Sequence, residues 1–202
     1  MGRYAHLAYT DTVRQVQQEW GSATAVQRRL AEGDAPELLS EPEMGFIESR
    51  DGCYLGSVSE TGWPYIQFRG GPPGFLHAID ERTIGFADVR GNRQYISTGN
   101  IVADGRVALF LMDYPRQQRL KLLGRATVLG LTGDPALTDR LCSVRTDGKA
   151  ERLVLITVEG FNWNCTQHIT PRYSAAELEP LLNRIAVLEA ENQALRADMA
   201  SR

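Results

Sequence analysis

The sequence predicts a mainly β (α+β) chain, a closed or nearly closed antiparallel barrel with polar helices before it and a coiled-coil helix after it. Three observations carry this expectation. Between residues 46 and 165 lie short runs rich in β-branched and aromatic residues, bounded by Gly, Pro, Asp or Asn. Tight-turn residues join them and no long helix alternates with them, which argues against a parallel βαβ sheet. From residue 174 onward the texture changes to a heptad repeat.

The elements follow in order. Residues 1–45 are polar and helical in pattern. Val13, Val16 and Trp20 are spaced for a one-faced helix over Thr10–Trp20. Ser22 stands as the cap of a second helix through Leu30, ended by Gly33, Asp34 and Pro36. The strand runs are Cys53–Ser59, Tyr65–Arg69, Phe75–Ile79, Thr83–Ala87, Val107–Asp113, Leu120–Leu129 and Leu153–Phe161. Hairpin chemistry sits at Glu60-Thr61-Gly62, Asp80-Glu81-Arg82 and Ala103-Asp104-Gly105. Arg93–Ile101 suits a short crossing helix. The expected division is a helical segment at 1–45, a barrel at 46–173 and a tail helix at 174–202.

In the tail, Ser174 and Glu177 have capping-box spacing. Leu178, Ile185, Asn192 and Met199 occupy heptad position a, and Leu181, Leu188 and Leu195 position d. A lone polar a residue such as Asn192 is a device for setting two-stranded register. In a parallel pair, Arg184 meets Glu189 and Glu191 meets Arg196, each opposite in sign. The helix therefore reads as a zipper with a second copy, parallel or antiparallel, or as a helix packed on its own or another barrel.

Composition bounds the function. The chain has 202 residues, 43% of them hydrophobic and 23% charged, so a mainly disordered chain is excluded. A formal net charge of −3 lacks the electrostatic footprint of a general nucleic-acid binder. The clearest apolar runs, Val107–Met112 and Leu153–Val158, are far shorter than the ~20 residues a membrane helix needs. The opening MGRYAHLAYTD carries no secretory apolar core. Cys53, Cys142 and Cys165 are an odd, scattered set that suits a reducing compartment, so the expected location is cytoplasmic.

Three stretches carry candidate chemistry. In GWPYIQFRGGPPG (Gly62–Gly74), Gln67 and Arg69 share one strand face, and the glycines that follow admit close approach of a ligand. In FADVRGNRQYISTGN (Phe86–Asn100), Gly91, Asn92, Arg93 and Gln94 lie between a strand and a helix start, where amides and an arginine suit an anion. In RQQRLKLLGRA (Arg116–Ala126), Arg119 and Lys121 share a face. Arg69, Arg93, Arg119 and Lys121 read either as surface charge on exposed strands or as a site for a small anionic ligand.

These stretches, in this order, resemble the pyridoxamine 5'-phosphate oxidase-like flavoproteins, which fold as an FMN-binding split barrel. The matching patterns are G-x-P-Y-x-Q at Gly62–Gln67, F-x-D-x-x-G-N-R-Q at Phe86–Gln94 and R-L-K-x-x-G-x-A at Arg119–Ala126, with a W-N-C-x-Q-H-I-T-P-R segment at Trp163–Arg172. The resemblance spans about residues 40–170. It implies a split barrel, expected from the runs to have six strands, and FMN held between two subunits, hence a homodimer through the barrel, to which the heptad reading adds the tail helix as a second contact. It implies that Gln67, Phe68 and Arg69 line the phosphate and ribityl region, and that Asp88 and Val89 lie beside the ring. Asn92, Arg93 and Gln94 fall where the oxidase has a Ser-Arg-Lys phosphate clamp, and Arg119 falls where it has Gln, with Lys121 on the same face. The oxidase's R-L-H-D-R-type substrate segment is absent, so the substrate need not be pyridoxamine phosphate. His168 and Arg172 are the candidates for meeting a small-molecule substrate, His168 as proton donor or acceptor. Cys165 and His168 have C-x-x-H spacing, but two ligands make no metal site and Cys165 reads as packing. His6 and His77 give no signal.

The resulting expectation is a flavin-dependent oxidoreductase acting on a small molecule at the dimer interface. The alternatives are a flavin- or haem-binding sensor, carrier or storage protein without turnover, and a plain dimerisation module.

Overall fold

The structure is a computed structural model that describes residues 2–144, 148–163 and 167–201. The chain opens with α1 (Gly2–Ala8), α2 (Asp11–Glu19), α3 (Ala23–Leu30) and α4 (Glu41–Glu48). It continues with β1 (Gly52–Val58), β2 (Pro64–Gly70), β3 (His77–Asp80), β4 (Thr83–Val89), α5 (Ile96–Ala103), β5 (Arg106–Asp113), β6 (Gln118–Leu129), α6 (Pro135–Leu141), β7 (Ala150–Trp163) and α7 (Ala175–Ala200). Every run read as a strand is one. The sheet has seven strands rather than six, in the order β2-β1-β5-β6-β7-β4-β3, with the short β3 at one edge and all pairings antiparallel.

Alternation explains the core. On β1, Cys53 and Leu55 turn inward, and on β5 Val107, Leu109 and Leu111 do the same. They meet Leu120 and Leu122 of β6 and Val154, Ile156 and Val158 of β7. A register shift between Leu123 and Gly124 bends β6 within this layer. Gly160 of β7 lets α1 lie close, since a Cβ there would stand 2.7 Å from the Tyr4 backbone nitrogen.

The helices match the sequence reading with three differences. Thr10 caps α2 through the Val13 amide, but Val13, Val16 and Trp20 stay exposed in the single chain. Ser22 precedes α3 without a side-chain cap, and its hydroxyl donates to Gln17 O instead. The crossing helix begins at Ile96 rather than Arg93, because Arg93 (φ 61°) and Tyr95 (φ 54°) are left-handed. The sequence reading did not single out α1, α4 or α6. Asp134 caps α6 through the Leu137 amide with Pro135 at the first turn, so that signal was present. No helix among the described residues is long and apolar enough to cross a membrane.

Charged side chains pin helices to the barrel. Glu37 accepts from the Phe161 amide of β7 at 2.7 Å. Glu43, within the α4 capping box, accepts from Trp163 Nε1 at 2.7 Å. At the end of α4, Arg50 lies over the Phe46 ring, donates to Met112 O and pairs with Asp113 at 2.8 Å. Arg116 completes the cluster at 3.0 Å. Burial opposes ionisation of Asp113, but the hydrogen bonds from Arg116 and Arg50 outweigh it and hold the carboxyl below its ordinary range. A depressed carboxylate contributes stability above its unfolded pKa and loses it as pH falls through its folded one.

Asp113→Ala leaves Arg50, with its side chain only 10% exposed, without its ion pair. Urea unfolding should show a loss of ~3 kcal/mol or more, the usual cost of stranding a buried charge. The difference from the parent chain should shrink as pH is lowered below the ordinary carboxylate range. An acid-insensitive difference, or a loss below 1 kcal/mol by the same titration, would show that the cluster does not anchor α4.

Candidate functional site

β2 and β4 share no ladder, yet the sheet curls until their side chains meet. Gln67 and Arg69 pair in register with Leu55 and Cys53, two core residues, so they stand on the inner face of β2. From β4, Asp88 reaches Arg69: Arg69 Nε lies 3.4 Å from Asp88 Oδ1. Arg152, beside Asp88 in the β4–β7 register, lies 3.6 Å from its other oxygen. The Arg69–Asp88 pair bridges the seam where β2 and β4 are not hydrogen-bonded, and Arg152 steadies Asp88 from the neighbouring strand.

A hollow opens over this seam. Gln67, Arg69, Asp88 and Val89 form its floor, and Gly91, Asn92, Arg93 and Gln94, with the start of α5, form its rim. The sequence reading expected each of the eight residues just named, Gly91 among them, near an anion or cofactor, and the fold brings them together. α5 is strapped across the seam by three polar contacts. Ser97 Oγ donates to Gln67 Oε1 at 3.0 Å, Asn100 Nδ2 donates to Ser57 Oγ at 3.0 Å, and Arg152 Nη1 donates to Thr98 Oγ1 at 3.0 Å. In the rim, the Gln94 amide donates to Asn92 Oδ1 at 3.1 Å, an Asx turn that helps hold the left-handed path.

The remaining expected residues lie elsewhere. Phe68 points to the outer face of β2, packs edge-on against Tyr54, and lines a second, open hollow with Gly70, Gly71 and Pro72. Val89 borders both hollows. Arg119 and Lys121 alternate with the core residues Leu120 and Leu122, so they project from the opposite side of the sheet. Arg119 stacks on Phe110, and the Lys121 ammonium sits 5.4 Å from the Tyr4 ring centre. Burial, then Arg119 and Arg29, push the Lys121 pKa down. Within one chain, therefore, the four cations form two separate sets and not a single cradle. His168 is left-handed (φ 65°) and exposed, and Arg172 lies over the Tyr114 ring. Both belong to the segment after β7, outside the hollow. Asn164 and Cys165 lie outside the described residues.

Four participants, Glu151, Arg152, Arg90 and Tyr95, were not named in the sequence reading. Glu151 accepts from Arg90 at 2.7 Å, from Arg152 at 2.6 Å and from the Tyr95 hydroxyl at 3.2 Å. Arg90 in particular, then burial working against it and Tyr95, leaves the Glu151 carboxyl below its ordinary range. Arg152 also stacks 4.6 Å from the Tyr95 ring centre. Only the β4–β7 register places this pair under the hollow, so no local motif could have announced it.

Two features bear on what the hollow accepts. Among the side chains that line the hollow, Arg69 and Arg93 stand against Asp88, leaving one positive charge in excess; Arg90 and Arg152 stand behind it around Glu151. Arg69 Nε is shut off from solvent without a hydrogen-bond partner. By contrast the nearby thiol of Cys53 is pushed up to about 12 by burial, with Arg69 pulling weakly the other way, so it is no nucleophile.

Comparison with known proteins agrees with this architecture. Residues 41–159 match the family model described as pyridoxamine 5'-phosphate oxidase. Among curated proteins none matches. Among solved structures, HupZ from Group A Streptococcus superposes with a TM-score of 0.51 at 17% identity, covering 67% of this chain and 100% of that one. A putative pyridoxamine 5'-phosphate oxidase from Lactobacillus delbrueckii gives 0.48 at 17% identity, covering 62% and 93%. An F420 reductase gives 0.40 at 20% identity, covering 57% and 93%.

If Arg152 holds the rim, Arg152→Met should speed hydrogen exchange through residues 92–98 by ten-fold or more while leaving β5 and β6 protected. Equal exchange in both chains would remove Arg152 from that role.

Proposed function

The chain belongs to the pyridoxamine 5'-phosphate oxidase family, and from that premise we propose that it is an FMN-binding flavoprotein, homodimeric through its barrel, that acts as a flavin-dependent oxidoreductase on a small molecule. The observation that carries the reading is the charge of the hollow. A phosphomonoester bears about −1.5 to −2 charge at neutral pH, and the hollow offers it two lining arginines, Arg69 and Arg93, against the one carboxylate of Asp88. Arg69 Nε, buried and facing Asp88 without a well-formed hydrogen bond, supplies a donor that an anion would satisfy.

The residues fit the group. Arg69, Arg93 and the first amides of α5 would hold the phosphate, since helix N-terminal amides lack internal partners. Gln67, its oxygen engaged by Ser97, keeps its amide nitrogen for a polyol hydroxyl. Asp88 lies between two arginines, Arg69 and Arg152, at the floor of the site. Asn92 and Gln94 keep the rim in shape, and Val89 offers the apolar edge toward the outer hollow where Phe68 lies. Bound FMN would supply hydride or electron transfer, and the protein would supply binding, orientation and field.

The barrel dimer is part of the same reading. Tyr54, Ile66 and Phe68 are exposed on the outer face of β1 and β2. Arg119 and Lys121 stand on the outer face of the same sheet, Arg119 against Phe110 and Lys121 near Tyr4. A second copy covering this face would bring its own Arg119 and Lys121 toward the hollow. His168 and Arg172 would meet substrate only across such an interface.

One observation favours a second reading, a binding protein without turnover. Asp88 is paired and the Tyr95 hydroxyl is engaged with Glu151, so the hollow of one chain holds no uncommitted proton donor.

Protein purified natively should be yellow or should bind added FMN; colourless protein that binds none ends the flavin reading. Arg93→Ala should weaken FMN binding by ten-fold to a hundred-fold in fluorescence titration, from a lost charge-assisted contact of ~1.5–3 kcal/mol. Unchanged affinity takes Arg93 out of the site. Anaerobic photoreduction followed by oxygen or candidate acceptors separates the two readings: rapid reoxidation supports an oxidoreductase, and a flavin that cycles with none supports binding alone.

A further inference from the structure

Helix α7 is the largest part of the chain that no packing explains. All of its residues from Ala175 to Ala200 are exposed. The stripe Leu178, Leu181, Ile185, Leu188, Leu195 and Met199 is open to water along one side. At ~1.5 Å per residue the helix extends about 39 Å. In water an isolated helix draws most of its stability from packing of its apolar face, so this stripe needs a partner.

We propose that the α7 helices of two copies of this chain form a parallel, in-register, two-stranded coiled coil whose register is set by Asn192. Three features of the stripe choose this occupant and this geometry. Leu at each d position with β-branched Ile185 at a is the pattern of parallel two-stranded coils. Asn192 is the one polar group in the seam, and its amide can both donate and accept. Only the parallel in-register arrangement sets it opposite its own counterpart. An antiparallel pair sets it against a leucine at d, burying an amide with no partner. The charges beside the seam agree, with Arg184 meeting the counterpart of Glu189 and Glu191 meeting that of Arg196.

The helix itself is built for the role. Ser174 and Glu177 form a capping box that starts it cleanly. Pro180 removes one helix hydrogen bond but occupies position c, on the flank away from the seam. Its root is held to the barrel: Ile169 is buried with its carbonyl taking a 2.7 Å bond from Gln117, and Arg172 lies over Tyr114. Tyr114 is in turn hydrogen-bonded to Tyr54, on the exposed sheet face that the barrel dimer would cover. One two-fold axis could thus serve both contacts, although the coil does not depend on the cofactor reading.

Because the barrel itself is proposed to pair, dimer size alone tests nothing about α7. The test uses the full chain with Met199→Cys under mild oxidation, compared with the parent chain for its native cysteines. A parallel coil should convert most of the variant to a disulfide-linked dimer on a non-reducing gel. No cross-linking above the parent overturns the proposal, whether the tail is alone, on a barrel, or bound to another protein. Mixed Leu178→Cys and Leu195→Cys chains that cross-link to each other in its place establish an antiparallel pair and also overturn it. Asn192→Val supplies the register test. It should raise the thermal midpoint of the tail transition and yield species larger than the parent in sedimentation velocity. An unchanged midpoint and size would show that Asn192 is not buried against its counterpart.

Discussion

The structure depends on closing a sheet whose facing strands cannot hydrogen-bond to each other. β2 ends one side of the strand order, and β4 lies next to the last strand on the other. Their backbones form no ladder, so side chains must hold the gap. Arg69 and Arg152 converge on Asp88 there, while α5 bridges the opening through Ser97, Thr98 and Asn100. A seam held by charges is polar by construction, and it has room at its rim for a polar guest. The same feature that leaves the barrel split therefore furnishes the hollow.

That arrangement carries a cost which the rest of the chain offsets. Buried ions stabilise little on net unless fully paired, and an unmatched one destabilises. Around the seam the positive side is in excess, and Arg69 Nε, though beside Asp88, makes no hydrogen bond. Elsewhere the buried charges are better satisfied. Asp113 takes two arginines, and Glu43 joins a cap hydroxyl to an indole. The apolar layer from Leu55 and Leu111 through Leu120 to Val158 supplies the bulk of the stability. Among the buried atoms without a hydrogen-bond partner, Arg69 Nε is the one at the seam, where a bound anion would relieve it.

Two surfaces are incomplete in the single chain for a different reason. The outer face with Tyr54, Ile66 and Phe68, and the stripe along α7, are apolar and open. The first lies on the side of the sheet that carries Arg119 and Lys121, and the second springs from the hairpin end beside Tyr114. Open apolar surfaces of this kind are what the proposed barrel and tail pairings would cover. The charges beside them are Arg119 and Lys121 on the sheet face and alternating opposite charges along the helix.

Much of this was legible in order along the chain. Strand runs, turns, the Ser174 capping box and the tail heptad are local patterns, fixed by alternation, φ preferences and capping within a few residues. The stretches around Gln67 and Asn92 were legible as candidate site segments because each is a short polar run after a strand. Local pattern also misplaced the start of α5, since the left-handed turns at Arg93 and Tyr95 show only in the folded loop. It could not reveal that Glu151 and Arg152 lie beneath that loop, because the β4–β7 pairing crosses some sixty residues of chain. Nor could it show that Arg119 and Lys121 face away from Arg69 and Arg93. Which face of a strand becomes interior depends on how the sheet curls, and that is settled by contacts distant in sequence. Periodicity thus determined the elements, their caps and the heptad seam, whereas sheet curvature and long-range register decided which charges share a hollow.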